Sequence, residues 1–435
     1  MPLRFLNIYR LIHGLGPLTV LSVFVRHLRS RGVWATLTRV FRLVLDGVRQ
    51  SGFESHNQWL QRNGLKEAGT ASSVFSSSHI VIIGALDLPQ CRRYRVMQKA
   101  ELFRGRGCRV SVHSYKECAE AIDAMQTCTV LLLYRVPDGK DFRCYIAEAR
   151  RLGVRIYYDI DDPIFDRTVY EKNKNLDTLT ASERSHLLAE SDLYLRAMGE
   201  VDVVIVSTDK MAQLAKSSGI SHVHVWPNVI DKGLETLIQS SDGPDPVAAA
   251  PVEKAVVIGY MSGSRAHDAD LAEVAGVLEN ILKLKENVLI RFCGFGVLPE
   301  NLVQFSSRIQ RHPFTGYKQY LSALSSVDIN MVPLVVDEFN ECKSAIRFLE
   351  ASLVGVPTVA SAVGEFRSLI ENNVSGILAT SPQQWQDALL QLIESPQQRA
   401  ELVKEARILV CEVRHINTIA FALLPTLNDM AVTDV

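Results

Sequence analysis

Short, almost wholly apolar runs separated by helix-patterned stretches recur along the chain. In its first half they are HIVIIGA (79–85), CRVSVHS (108–114), TVLLLYR (129–135), VRIYYDI (154–160), VDVVIVS (201–207) and HVHVWPN (222–228). In its second half they are AVVIGYM (255–261), VLIRFCG (288–294), VDINMVP (327–333), VPTVAS (356–361) and SGILA (375–379), with the loop around Phe314 completing the series. A strand with one wet face alternates polar and apolar residues, whereas a continuously apolar strand is buried on both faces, as in parallel sheets flanked by helices. Strand–helix alternation of this kind predicts an α/β chain with two doubly wound, Rossmann-like domains. Ligands of such sheets sit beyond the carboxyl ends of the strands, so two facing sets of strand ends would form a cleft.

The boundaries follow from composition. QSSDGPDPVAAAPVEK, rich in Pro, Ser, Ala and Asp, separates the two halves and reads as an interdomain linker over 239–254. The polar stretch 51–78 is a second linker. The expected organisation is a helical extension over 1–50, a first domain over 79–238, a second over 255–415, and a tail over 416–435. Residues 1–50 hold eight arginines and one acid, Asp46, with Trp34, Leu37, Phe41, Val44 and Val48 at helical spacing. A basic amphipathic helix of this composition is suited to an anionic membrane interface; a helical hairpin packed on the protein's own body is the alternative. The run from Leu11 to Val25 contains His13, Gly14, Gly16 and Pro17. A spanning helix needs roughly 20 apolar residues, so the run reads as not spanning, and no small-residue cleavage site closes it.

Bulk composition excludes some classes. A net charge of -1 gives no global attraction to nucleic acid. The eight cysteines form no CxxC pair and no zinc-spaced cluster, so no metal site is expected and the thiols read as reduced and mostly buried, as in a cytoplasmic protein.

The segment Phe339 to Ser361, FNECKSAIRFLEASLVGVPTVAS, carries the strongest chemical pattern. A helix running from about Lys343 places Lys343, Arg347 and Glu350 on successive turns of one face. Two cations and an acid there are suited to a nucleoside diphosphate: the cations neutralise phosphates and the carboxylate accepts from ribose hydroxyls. An exposed set of i,i+3 and i,i+4 charges is the plainer reading. Upstream, the apolar run at 255–261 ends in a loop containing Gly263, Ser264 and Arg265, with a helix beginning near Asp268. Backbone N–H groups at a helix start can bind phosphate, and Arg265 adds positive charge. Gly294-Phe295-Gly296 and His312-Pro313-Phe314 form two further loops, in which Phe295 or Phe314 can stack on a base or pack in the core.

FLEASLVGVPTVAS resembles the donor-site signature of retaining glycosyltransferases of family 4, which have the two-domain GT-B fold. FNECKS and RFLE resemble the branch acting in bacterial capsule, O-antigen and cell-wall polysaccharide assembly. The resemblance covers roughly residues 79–415. It implies a nucleoside-diphosphate sugar as donor, with no tightly bound cofactor and no metal requirement. It also implies a glycan or lipid-linked acceptor; a place at the cytoplasmic membrane face rests on residues 1–50 alone. Glu350 would hold the donor ribose. Lys343 and Arg265 would stabilise charge on the leaving diphosphate, with Arg347 as a helper. Gly263, Ser264, Gly294, Phe295 and Phe314 would line the donor site. One departure stands out: the family's second carboxylate lies eight positions before the ribose glutamate, and here that position is Cys342.

In the first half, Asp159, Asp161 and Asp162 crowd the end of an apolar run with no cation close in sequence. They read as an acidic rim on the acceptor side, with Asp161 and Asp162 as catalytic candidates. Arg92, Arg93 and Arg95 follow the first strand and read either as an acceptor or phosphate-binding group or as a solvated helix start. Two other functions remain open on the sequence. One is a non-catalytic scaffold subunit that kept the fold, suggested by Cys342. The other, a nicotinamide-dependent oxidoreductase, would need GxGxxG after the first strand, which IGALDLPQ lacks.

Overall fold

The computed structural model describes residues 78–239, 255–262, 268–294, 297–313 and 316–418. The expected extension over 1–50, the Leu11–Val25 run, and nearly all of both linkers and the tail lie outside the described residues. So do Gly263, Ser264, Arg265, Phe295 and Phe314.

Two six-stranded, all-parallel sheets organise the chain. The first comprises β1 (His79–Gly84), β2 (Arg109–Ser114), β3 (Val130–Tyr134), β4 (Arg155–Ile160), β5 (Val203–Val206) and β6 (Val223–Val225), in the order β2-β1-β3-β4-β5-β6. The second comprises β7 (Val256–Ser262), β8 (Val288–Gly294), β9 (Ile309–His312), β10 (Ile329–Val332), β11 (Thr358–Ser361) and β12 (Ile377–Ala379), in the order β12-β11-β10-β7-β8-β9. Strand order reverses between β1 and β3 and again between β7 and β10. These switch points are where doubly wound sheets bind ligands. Each sheet has one apolar cluster on either face, which is why β1 and β3 are buried at every residue and tolerate no alternation.

The sequence pattern misses one strand. β9, IQRH, is half-buried at the sheet edge, so it carries no apolar run; the series had a loop around Phe314 in its place. HVHVWPN yields only the three residues of β6, because Trp226, Asn228 and their neighbours turn away to meet other elements.

The domains exchange anchors. Tyr94 of the first domain packs within the apolar cluster of the second. Cys342 of the second packs within that of the first. After the helix Pro396–Val413 the chain returns to the first domain, where Ile230 N donates to Arg414 O and Ile416 N donates to Ile230 O. Tyr94 owes its position to a wide turn: Arg92–Met97 is a π-helix, in which Gln98 N donates to Arg93 O. The extra residue in that turn brings Tyr94, Arg95 and Val96 inside together, three consecutive buried residues that no α-helical stripe would bury.

Candidate active site

The loops after β1, β4, β5 and β6 meet the segment 338–350 across the interface, so the carboxyl ends of the two sheets face one another. Asp337 caps the short helix Glu338–Glu341, its side chain accepting from Asn340 N at 2.7 Å. Lys343 and Ser344 then lie in a loop, and the next helix runs Ile346–Val354. The helix expected from Lys343 therefore starts three residues later. The reason is the neighbouring Glu365: Ala345 N donates to its Oε2 at 2.8 Å, and Glu365 N donates to Lys343 O. Gly364 permits this closeness, with φ +56 and a Cβ position that would sit 2.7 Å from Asn340 O. The helix ends at Gly355, which is left-handed at φ 82, just before Pro357.

Glu350 projects from this helix into a fully buried position. Tyr317 Oη donates to its Oε1 at 2.7 Å and Tyr320 Oη to its Oε2 at 2.9 Å. Both tyrosines come from one face of the helix Tyr317–Ser325, their rings stacked 6.0 Å apart. The remaining donor comes from the first domain: Gln90 Nε2 reaches Oε1 at 2.8 Å and Oε2 at 3.0 Å. Burial pushes the Glu350 carboxyl up to about 7, against the hydrogen bonds of Tyr317, Gln90 and Tyr320 and the charge of Arg347.

Arg347, one turn earlier, has a buried Nη1 with no hydrogen-bond partner among the described residues. Lys343 does not point along the helix with it. Its Nζ pairs with Asp162 Oδ1 of the first domain at 3.2 Å and lies 5.0 Å from the Phe339 ring centre. Cys342 is buried, its carbonyl accepts from Thr208 Oγ1, and burial pushes its thiol up to about 12. A thiol in that state does not replace the carboxylate of the resembling family. Gly294 ends β8 at φ +104, and a Cβ there would meet Ser262 O at 1.7 Å, so strand packing alone requires glycine.

The three aspartates of the first domain are not an acidic rim, because each has a cation. Asp159 is fully buried between Arg95 (2.8 Å) and Lys99 (2.6 Å). Asp161 accepts from Arg135 Nε at 2.7 Å and from Tyr134 Oη at 3.0 Å. Asp162 pairs with both Arg135 and Lys343. Burial would raise the Asp162 carboxyl, but those two cations outweigh it and hold it well below the usual range. Arg135 follows β3 with φ 48, a left-handed conformation rare outside glycine, and lies across the two carboxylates.

Two of the three arginines after β1 are likewise committed, while Arg92 is exposed. Arg95 donates to Trp226 O and Asn228 Oδ1 in the core, and Arg93 pairs with Glu101 and Asp231. They shape the first domain and pin its last loop; they do not present charge to an acceptor.

Four residues absent from the sequence expectations are central to this geometry: Gln90, Arg135, Tyr317 and Tyr320. The tyrosine pair has a signal, GYKQY at helical i,i+3 spacing, and Arg135 closes the apolar run VLLLYR. Gln90 has none, since its partner lies 260 residues away. Among the described residues, no group of His, Cys, Asp and Glu is arranged to hold a metal ion, and no helix is long and apolar enough to cross a membrane.

Residues 254–395 match the family model described as Glycosyl transferases group 1. HepE of Anabaena, solved with UDP and glucose, superposes with a TM-score of 0.55 at 13% identity, covering 81% of this chain and 100% of its own. Sucrose-phosphate synthase from Thermosynechococcus elongatus gives 0.54 at 13% identity, covering 81% and 99%. A glycosyltransferase from Rickettsia africae gives 0.54 at 11% identity, covering 82% and 100%. No curated protein matches by sequence. The chain therefore has the GT-B fold, two Rossmann-like domains closing on one interface. Within that fold, the match to the group 1 glycosyltransferase model falls on the second domain.

Proposed function

We propose that this protein transfers a sugar from a nucleoside-diphosphate sugar to a glycan or lipid-linked acceptor in surface-polysaccharide synthesis, with retention of anomeric configuration. One observation carries the donor half of that reading. Glu350 and Arg347 lie on one helix, with Lys343 in the loop before it, in a domain matching glycosyltransferase group 1. A carboxylate there suits the hydroxyls of a ribose, and the two cations suit a diphosphate. Arg347 Nη1, buried with no hydrogen-bond partner among the described residues, is a donor suited to an anion. HepE of Anabaena has been solved with UDP-glucose, which supports a nucleotide sugar of the same class here. We place Gly263, Ser264, Arg265, Phe295 and Phe314 around the same ligand by their sequence positions alone.

Asp161 and Asp162, paired with Arg135 and, for Asp162, also with Lys343, belong in this reading to the acceptor side. There they position Arg135 and Lys343; they do not act as bases. The leaving diphosphate takes the acceptor proton, with Lys343 and Arg265 stabilising its charge. Residues 1–50 carry the chain to an anionic membrane surface on the cytoplasmic side.

The test is a titration of the full chain with UDP, GDP and ADP. At least one should bind, and Glu350→Ala should weaken it by at least about tenfold, the cost of losing hydrogen bonds to a charged group. No binding of any nucleoside diphosphate would sink the reading. A scaffold subunit is the second reading, favoured by Cys342 standing where the family has a carboxylate and sitting in the other domain's core. Transfer from a labelled nucleotide sugar onto membrane lipids separates the two, since a scaffold gives no product.

A further inference from the structure

The donor reading makes Glu350 a ligand, yet in this structure its carboxylate is already saturated. A carboxylate offers about four lone-pair sites. Two are taken by Tyr317 and Tyr320, which belong to the same domain and stay with Glu350 however the domains move. The other two are taken by a single amide nitrogen of the first domain, Gln90 Nε2, lying 2.8 Å from one oxygen and 3.0 Å from the other. Two adjacent hydroxyls of a ribose make the same pattern, two donors meeting two oxygens from one side. Gln90 sits at the tip of the loop after β1, in a short helical turn, Pro89–Cys91, that leads into the π-helix carrying Tyr94. Tyr94 Oη lies 3.5 Å from Tyr317 Oη, so the turn and the carboxylate are registered to one another at two points.

We propose that Gln90 is a built-in competitor for the donor. Its carboxamide occupies the seat on Glu350 that a vicinal diol takes, so the ligand-free interface and a bound nucleotide exclude one another. This rests on the donor reading above and adds a regulation to it. Other contacts cross the same interface and reinforce the competitor: Asp162 holds Lys343, Thr208 Oγ1 donates to Cys342 O, and Asn228 Nδ2 donates to Ser344 Oγ at 2.7 Å. Displacing Gln90 therefore releases a carboxylate for the ribose while opening the neighbourhood of a cation suited to the phosphates. The tyrosines keep Glu350 in place through the exchange.

The experiment titrates the full chain and its Gln90→Ala and Gln90→Asn variants with UDP, GDP and ADP and with their 2′-deoxy counterparts. Asn is too short to reach Glu350 but keeps the amide, so it stands in should the alanine variant fold poorly. For the nucleotide that binds, removing the competitor should tighten the ribose form by about tenfold, a coupling of ordinary size. The 2′-deoxy form, lacking one of the two hydroxyls, should gain less than about threefold on the same scale. Unchanged or weaker binding of the ribose form in both variants overturns the proposal while leaving the donor reading standing. Equal gains for ribose and deoxyribose forms overturn the shared seat and reduce Gln90 to an interdomain tie. If no nucleoside diphosphate binds to any of the three proteins, the donor reading falls and the competitor falls with it.

Discussion

Asp159 and Asp161 of the first domain and Glu350 of the second are held in opposite ways. In the first, every buried carboxylate beyond the strand ends is closed off by cations of its own domain: Arg95 and Lys99 on Asp159, Arg135 on Asp161. In the second, Glu350 receives only neutral donors, and one of them is borrowed from the other domain. The nearest cation on its own helix, Arg347, keeps a buried nitrogen without a partner among the described residues. A set of charges that cancel internally builds a scaffold. A set left incomplete, with neutral donors replaceable by a ligand, builds a binding site. Burial moves one group in each domain toward neutrality, Lys99 and Glu350. Burial lowers the lysine to about 8 with Arg95 adding to the effect, and raises the carboxyl to about 7.

The largest expected effect tests the scaffold side. Asp159→Ala leaves Arg95 and Lys99 buried with no counter-charge, and breaking a buried pair in this way costs about 3–5 kcal/mol. Urea unfolding followed by tryptophan fluorescence suits the measurement, since Lys99 Nζ lies 4.9 Å from the Trp226 ring. A loss below about 1 kcal/mol, the range of exposed pairs, would mean that the cluster is not structural and would erase the contrast.

The site side gives a smaller effect that depends on pH. Glu350 has a folded-state value raised from 4.5 to about 7, so protonation favours the folded chain. Its contribution is fully present below the unfolded value and is lost as pH rises through about 7. Glu350→Gln cannot ionise. Between pH 5 and pH 8 the stability gap should therefore move toward the variant by on the order of 2 kcal/mol. The other groups facing Glu350 do not titrate in that window. Tyr94, Tyr317 and Tyr320 are all raised well above the usual phenol range by burial. A gap that does not change with pH would mean that Glu350 keeps one protonation state across that range.

How much of this was legible in the sequence follows the range of the interactions. Strands buried on both faces announce themselves, because burial on two sides leaves an uninterrupted apolar run; β1, β3 and β5 are of this kind. β9 does not, because an edge strand with one half-wet face needs no such run. Glu350, Arg347 and Lys343 were legible as a local pattern, but the true start of the helix was not. It is set by Glu365 and Gly364, which approach from a later element. The aspartates of YYDIDD looked uncompensated because their cations lie after β1 and β3, far off in sequence and adjacent only in the sheet. The π-turn that buries Tyr94 obeys no helical periodicity and leaves no pattern to read.

The smallest effect on stability lies where the two kinds of charge meet. Lys343 and Asp162 are each about a quarter exposed, and Asp162 keeps Arg135 when the lysine is removed. Lys343→Ala should therefore cost no more than about 1 kcal/mol in urea unfolding, the range of partly solvated pairs. Nucleoside-diphosphate binding should respond far more strongly, falling by about tenfold or more, because a charged hydrogen bond to phosphate has no substitute at that position. The ratio of the two effects is the informative quantity. Asp159→Ala should destabilise without a specific loss of binding in the fraction that remains folded, while Lys343→Ala should do the reverse. If Lys343→Ala instead unfolds the chain with binding unchanged in the folded fraction, Lys343 belongs to the scaffold set with Arg95 and Lys99. The donor phosphates must then be held by Arg347 and residues outside the loop 342–344.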